Sequence, residues 1–198
     1  MVIQRLAHTV PLLLIGLRIA LAPVMIFLAL HWPSSFAFST CLTAAFLSDV
    51  FDGVIARRIN VATPSLRRLD SAADTIFYLA AVFAVWHLYP AAISERLIPL
   101  SVLVVLELTR YVIDLAKFGR EASYHMWSSK LWGIALFAGF LSVLGYGSSG
   151  LLVTLAVYIG ILADVEGLAI SVVLTEWKSD VPTLLHALQL RQGERSGT

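Results

Sequence analysis

Six apolar stretches, each about 20 residues long, constrain the fold of this chain more than any other feature of its sequence. They lie at about 11–30, 36–57, 70–89, 97–117, 130–146 and 151–177. A helix of that length crosses the hydrocarbon core of a bilayer. Hydrophobic residues make up 59% of the chain and charged residues only 14%, which lies outside the range of soluble proteins. The sequence therefore predicts an all-α, polytopic membrane protein with six transmembrane helices, forming a single domain over residues 1–198.

The basic residues are distributed unequally between the two sides that six spans would create. On the side opposite the termini only Arg96 is basic, and Arg18 and Arg110 lie inside spans. Eleven lie on the side of the termini: Arg5, Arg57, Arg58, Arg67, Arg68, Lys117, Arg120, Lys130, Lys178, Arg191 and Arg195. Because basic residues concentrate in cytosolic loops, we expect both termini and the link 58–69 to face the cytosol from the cytoplasmic (inner) membrane. The net charge of +1 gives no indication of a nucleic-acid partner.

Four aspartates lie close together in this otherwise apolar chain. Asp49 and Asp52 are three positions apart, and Asp70 and Asp74 are four apart, so each pair lies on one face of a helix. If the link 58–69 turns the chain back, the two faces can meet. Four converging carboxylates repel one another, and a hard divalent cation such as Mg²⁺, Mn²⁺ or Ca²⁺ removes that repulsion.

The spacing of these residues resembles a known signature. The pattern D-x2-D-G-x2-A-R-x8-G-x3-D-x3-D is typical of the CDP-alcohol phosphotransferase family, and the chain carries seven of its eight fixed residues. The matching residues are Asp49, Asp52, Gly53, Ala56, Arg57, Asp70 and Asp74. The departure is Leu66, where the family has glycine, and a leucine there is expected to crowd the nucleotide pocket or redirect the link.

The resemblance implies an enzyme of phospholipid biosynthesis. It implies that a CDP-lipid such as CDP-diacylglycerol donates its phosphatidyl group to a small polar alcohol, that CMP leaves, and that two Mg²⁺ or Mn²⁺ ions assist. The implied metal ligands are Asp49, Asp52, Asp70 and Asp74, with Asp74 also the catalytic base, and the implied nucleotide-binding residues are Asp52, Gly53, Ala56 and Arg57. Membrane lipid is an expected partner, and a homodimer is left open.

Two charged residues outside the motif, Arg18 and Arg110, each have two interpretations. Arg18 resembles an arginine of the family's N-terminal pattern, or it snorkels to the interface. Arg110 and Lys130 are expected to approach the start of the third span and bind a phosphorylated acceptor such as glycerol 3-phosphate. Arg110 can instead form a self-neutralising ladder with Glu107 and Asp114.

The acids of the last span keep a different function open. Asp164 and Glu166 are costly at membrane depth, and they either pair with Arg110 or Arg18 or line an acceptor cavity. A divalent-cation transporter with an acidic intramembrane site is therefore the alternative to the transferase. An inactive scaffold is a third reading, suggested only by Leu66.

Overall fold

The computed structural model describes residues 2–58, 64–121 and 123–196. Nearly every element in this part of the chain is helical. The helices are α1 (Val2–His31), α2 (Ser35–Arg58), α3 (Pro64–Leu88), α4 (Pro90–Ser94), α5 (Leu97–Phe118), α6 (Trp127–Phe140), α7 (Leu151–Val173) and α8 (Leu184–Ser196). A single π-helical turn, Leu141–Gly145, extends α6. The described residues form no strand, only one isolated bridge between Ser123 and Ser179, so the all-α prediction is confirmed.

Five helices are long and apolar enough to cross a membrane. They are Val10–His31, Ser35–Ile55, Arg68–Leu88, Trp127–Gly145 and Leu151–Val173, and they coincide with five of the six predicted spans. The predicted fourth span forms the 22-residue helix α5. The charged residues Glu107, Arg110 and Asp114 lie within α5, so its composition alone does not identify it as a membrane span. The chain therefore has the helices of an integral membrane protein, and a sixth span stays a prediction.

Two helix boundaries differ from the sequence prediction. Helix α3 begins at Pro64 rather than near Asp70, because the fixed φ of proline suits the first position of a helix, where its missing N–H costs nothing. Helix α7 ends at Val173 rather than near Trp177, since Leu174 is extended with φ −65° and ψ 137°. The lysine Lys117 caps that end, donating from Nζ to the carbonyls of Ser171 at 2.9 Å and Val172 at 3.0 Å.

The described residues fall into two compact units, the first formed by residues up to 93 together with 140–148. In this unit α1 packs against both α2 and α3. The face of α3 that is buried consists mainly of alanine: Ala73, Ala80, Ala81 and Ala84. Small side chains let two helix backbones approach closely. The packing brings the middle of α1 beside the acidic start of α3.

The second unit contains residues 94–139 and those from 149 onwards. Here α5 packs along α7, and α8 packs against α7. Gly160 of α7 lies under the Trp132 ring, and a Cβ at that position would lie 2.5 Å from the indole Nε1. A small hydrophobic core fixes α8 to this unit. It consists of Tyr124, Met126, Ile170, Leu174, Val181 and Ala187. Burial raises the pKa of the Tyr124 phenol, whose hydroxyl hydrogen-bonds Ser171 Oγ at 3.0 Å.

Candidate metal centre

The structure brings the four motif aspartates together around one arginine. Asp49 and Asp52 lie on α2, and Asp70 and Asp74 lie on α3. The guanidinium of Arg18 from α1 reaches all four: Nη1 donates to Asp49 Oδ1 at 3.3 Å and Nη2 to Asp70 Oδ1 at 2.6 Å. It also bonds one oxygen each of Asp74 and Asp52. The predicted convergence of the two helix faces is therefore present.

The acid cluster is buried on one side and open on the other. The side chain of Asp52 is 5% exposed, whereas those of Asp49, Asp70 and Asp74 are 46%, 33% and 31% exposed. Arg18 closes the buried side and is itself 1% exposed. A ligand can therefore reach three of the carboxylates from solvent, while the fourth forms the floor.

The geometry of the three open carboxylates suits a shared cation. One oxygen each from Asp49, Asp70 and Asp74 lies within 4.8 Å of the other two. Oxygen-only ligand sets of this kind are those that Mg²⁺, Mn²⁺ and Ca²⁺ take in proteins. Four carboxylates with one guanidinium leave three negative charges in excess, if all are ionised. The residues present therefore fit a divalent metal centre.

The contact of Arg18 with the aspartates was not predicted from the sequence. The snorkelling interpretation is wrong, because the guanidinium is buried among the carboxylates. One signal could have identified it: Arg18 is the only charged residue between Pro11 and Leu30, and intramembrane charges are retained where a partner compensates them. The partners lie 31 to 56 positions away in sequence, so only the packing of α1 reveals them.

The other motif positions lie near the acid pairs. Gly53 follows Asp52 within α2 and is half-buried. The side chains of Ala56 and Arg57 lie outside the described part of the chain, as do residues 59–63 of the link. Leu66, at the position of the family glycine, lies in the first turn of α3. Its backbone is helical, a conformation that leucine adopts without strain.

The predicted acceptor residues belong to the second unit. Arg110 Nη2 donates to both oxygens of Glu107 at 2.8 Å, and Arg110 Nη1 lies 3.7 Å from Asp164 Oδ1. The exposed Lys130 places its ammonium 4.3 Å from the centre of the Trp127 ring. Part of the predicted ladder is present, since Arg110 pairs with Glu107.

The two acids of α7 have separate partners. Asp164 is 1% exposed and pairs with Arg110, one of the interpretations that the sequence left open. Its second oxygen, Oδ2, has no hydrogen-bond partner among the described residues. Glu166 Oε1 instead accepts a bond from the backbone N–H of Leu184 at 3.2 Å. It thereby satisfies a free donor at the start of α8.

Comparison with known proteins identifies a matching family. The sequence model described as CDP-alcohol phosphatidyltransferase matches residues 8–177, a range that includes most of α1, both acid pairs and α7. No curated protein and no solved structure matches the chain. The family match therefore rests on most of the chain rather than on the aspartates alone.

Proposed function

The chain belongs to the CDP-alcohol phosphatidyltransferase family, and we propose that it transfers a phosphatidyl group from CDP-diacylglycerol, or a related CDP-lipid, to a hydroxyl acceptor. Membership makes it a transferase of substituted phosphate groups that acts in phospholipid biosynthesis. The observation that carries the finer proposal is the convergence of four carboxylates from α2 and α3 on one point. This arrangement suits a reaction at phosphorus assisted by metal ions.

In the proposed reaction the aspartates hold two Mg²⁺ or Mn²⁺ ions, with Asp49, Asp52, Asp70 and Asp74 as ligands. Ions bound by these residues would neutralise the charge of the diphosphate and stabilise the leaving oxygen. Asp74, which is 31% exposed, takes the proton of the acceptor hydroxyl. The acceptor oxygen then bonds to the phosphatidyl phosphorus, the bond from that phosphorus to the bridging diphosphate oxygen breaks, and CMP leaves with the electron pair.

The nucleotide is proposed to lie along the end of α2. Gly53 follows the buried Asp52 and has no side chain to obstruct the approach of the nucleotide. Ala56 and Arg57 are assigned to the nucleotide as well, since the planar fork of an arginine suits a phosphate. These assignments, with Asp52 as the residue shared between metal and nucleotide, follow the family signature.

The acceptor is proposed to be phosphorylated, as glycerol 3-phosphate is. Arg110 and Lys130 are the cations assigned to it, with Lys130 exposed and Arg110 21% exposed. The transporter alternative depended on Asp164, an acid inside the last predicted span. That carboxylate pairs with Arg110, and the family match favours group transfer.

The test of this function is CMP release by the purified protein. With CDP-diacylglycerol and Mn²⁺, we expect CMP to form only when an acceptor is present, and fastest with a phosphorylated one. The panel should include glycerol 3-phosphate, an inositol phosphate, serine and glycerol. No CMP with any acceptor would refute the proposal, whereas CMP formed equally without acceptor would indicate a hydrolase.

The topology prediction follows from the asymmetry of basic residues. We expect Thr63→Cys, in a Cys41→Ser background, to resist a membrane-impermeant maleimide added to intact cells and to react after permeabilisation. The matched control is Trp32→Cys, which replaces a residue 71% exposed in the turn between α1 and α2. We expect that cysteine to react from outside. The reverse pattern would place the metal centre on the outer side.

A further inference from the structure

We propose that Arg18 is an internal counter-cation of the metal centre: it holds the four aspartates together without metal and is displaced when divalent ions bind. This inference rests on the proposed function, because it takes the acid cluster to be the metal site. It adds a role for a residue that lies outside the aspartate signature and on a different helix. It also predicts that one side chain opposes metal binding while stabilising the metal-free fold.

The first step concerns the terminal N–H donors of the Arg18 guanidinium and the carboxylates that accept from them. Nη1 bonds Asp49 and Asp74, and Nη2 bonds Asp52 and Asp70. Each of these nitrogens carries two N–H groups, so the four terminal donors meet four different carboxylates. This is the arrangement of a central cation, whereas an arginine that orients a single ligand would grip one carboxylate with two parallel bonds.

The second step is that Arg18 and the metal compete for the same carboxylates. Asp49, Asp70 and Asp74 are the three aspartates whose oxygens lie close enough together to share one ion. Each of them also accepts a bond from Arg18 through Oδ1. A divalent ion bound by these oxygens would lie about 2.0–2.6 Å from each of them. The guanidinium nitrogen already lies 2.6 Å from Asp70 Oδ1.

The third step is the charge of the site. Four ionised aspartates carry four negative charges, which two divalent ions neutralise completely. If Arg18 also stayed, the site would carry one positive charge with the guanidinium beside the ions. Like charges so close repel one another, most strongly on the buried side of the cluster, where Arg18 is 1% exposed. In the described part of the chain, Arg18 is the cation that the structure places within bonding distance of all four aspartates. Exchange of the guanidinium for the ions is therefore favoured by charge as well as by space.

One side-chain nitrogen of Arg18 lacks a hydrogen-bond partner among the described residues. This supports a guanidinium that can leave its position. Nε is buried, and it has no hydrogen-bond partner among the described residues. A buried donor without a partner costs free energy. An arginine with a purely structural role would be expected to satisfy Nε as well. In this site only the end of the side chain, which touches the carboxylates, is held.

The experiment measures Mn²⁺ binding by electron paramagnetic resonance of the protein in detergent, without nucleotide. We expect Arg18→Gln to bind Mn²⁺ at least tenfold more tightly than the unaltered chain and to melt at a lower temperature without metal. Arg18→Lys keeps the charge but loses the planar fork, so its affinity should lie between the two. The matched control is Arg96→Gln, another largely buried arginine, whose partners include Thr154, the Ser149 carbonyl and Glu95. Its Mn²⁺ affinity should equal that of the unaltered chain.

Two results separate this inference from the proposed function. If Arg18→Gln and Arg18→Lys bind Mn²⁺ no more tightly than the unaltered chain, Arg18 does not compete with metal and the inference is wrong, even where Asp70→Asn abolishes binding. If Asp70→Asn leaves Mn²⁺ binding unchanged, the metal centre itself is wrong. Should Arg18→Gln fail to fold, Arg18→Lys alone decides between tighter and unchanged binding.

Discussion

Asp70→Asn is expected to lower CMP release by more than about 100-fold and to leave the protein folded. Asp70 is one of three aspartates whose oxygens lie within 4.8 Å of one another. Loss of an outer partner of a metal ligand typically costs 10–100-fold in affinity or activity. Loss of a ligand should cost more, because asparagine offers a neutral oxygen in place of a carboxylate. The assay is CMP formation from CDP-diacylglycerol at saturating Mn²⁺, and we expect excess chelator to abolish it in the unaltered chain.

The fold of this variant should survive for an electrostatic reason. The cluster has four carboxylates and one guanidinium, so removing one negative charge relieves repulsion while it weakens one bond to Arg18. The Asp70 side chain is also 33% exposed, and asparagine has the same shape. We therefore expect the metal-free melting temperature in detergent to stay the same or rise. Glu95→Gln is the matched control, since that carboxylate is 62% exposed and pairs with Arg96. Full turnover of Asp70→Asn, or of the unaltered chain in chelator, would contradict a metal mechanism.

The sequence predicted the parts of the site that depend on local spacing. Intervals of three and four residues placed Asp49 with Asp52 and Asp70 with Asp74, and the structure confirms that both pairs converge. The apolar runs likewise predicted five of the membrane helices. Both patterns follow from helical periodicity, which is a property of neighbouring residues.

The sequence did not predict the features that depend on packing. Arg18 lies 31 to 56 positions from its partners, and it reaches them because the alanine face of α3 lets α1 approach. The end of α7 was also placed too late. Of the residues from Leu174 to Trp177 only Glu176 is charged, so the sequence alone allowed the span to continue. The capping of α7 by Lys117 from α5 involves a residue 54 positions away. Contacts of that kind leave no periodic pattern in the sequence.

The second large effect is expected in the other unit, where Arg110→Gln should destabilise the protein by about 3 kcal/mol. Arg110 lies between two carboxylates, 2.8 Å from Glu107 and 3.7 Å from Asp164. Asp164 is 1% exposed, so loss of the arginine leaves a buried carboxylate without its cation. Breaking a buried pair costs about 3–5 kcal/mol. The lower end of that range applies because Arg110 is 21% exposed and its contact with Asp164 is long.

The double variant Arg110→Gln with Asp164→Asn identifies the cause of that loss. It removes the buried negative charge together with its partner, so most of the stability should return, as measured by thermal unfolding in detergent. The control is Arg110→Gln with Glu107→Gln, which neutralises the carboxylate that is 46% exposed and should restore much less. Equal recovery in both double variants would contradict the assignment of Asp164 as the dominant partner.

The same double variant also tests whether Arg110 binds the acceptor. This double variant loses one positive and one negative charge, so we expect it to be stable. A change in its kinetics therefore reports the missing guanidinium rather than an unstable protein. If a phosphate on the acceptor meets Arg110, the KM for the acceptor should rise at least tenfold while the KM for CDP-diacylglycerol stays nearly constant, since the nucleotide is assigned to Gly53 and Arg57. Equal losses for both substrates would make Arg110 a structural ion pair only. A preference of the unaltered chain for an uncharged acceptor would also refute the acceptor role, because no phosphate would then need a buried cation.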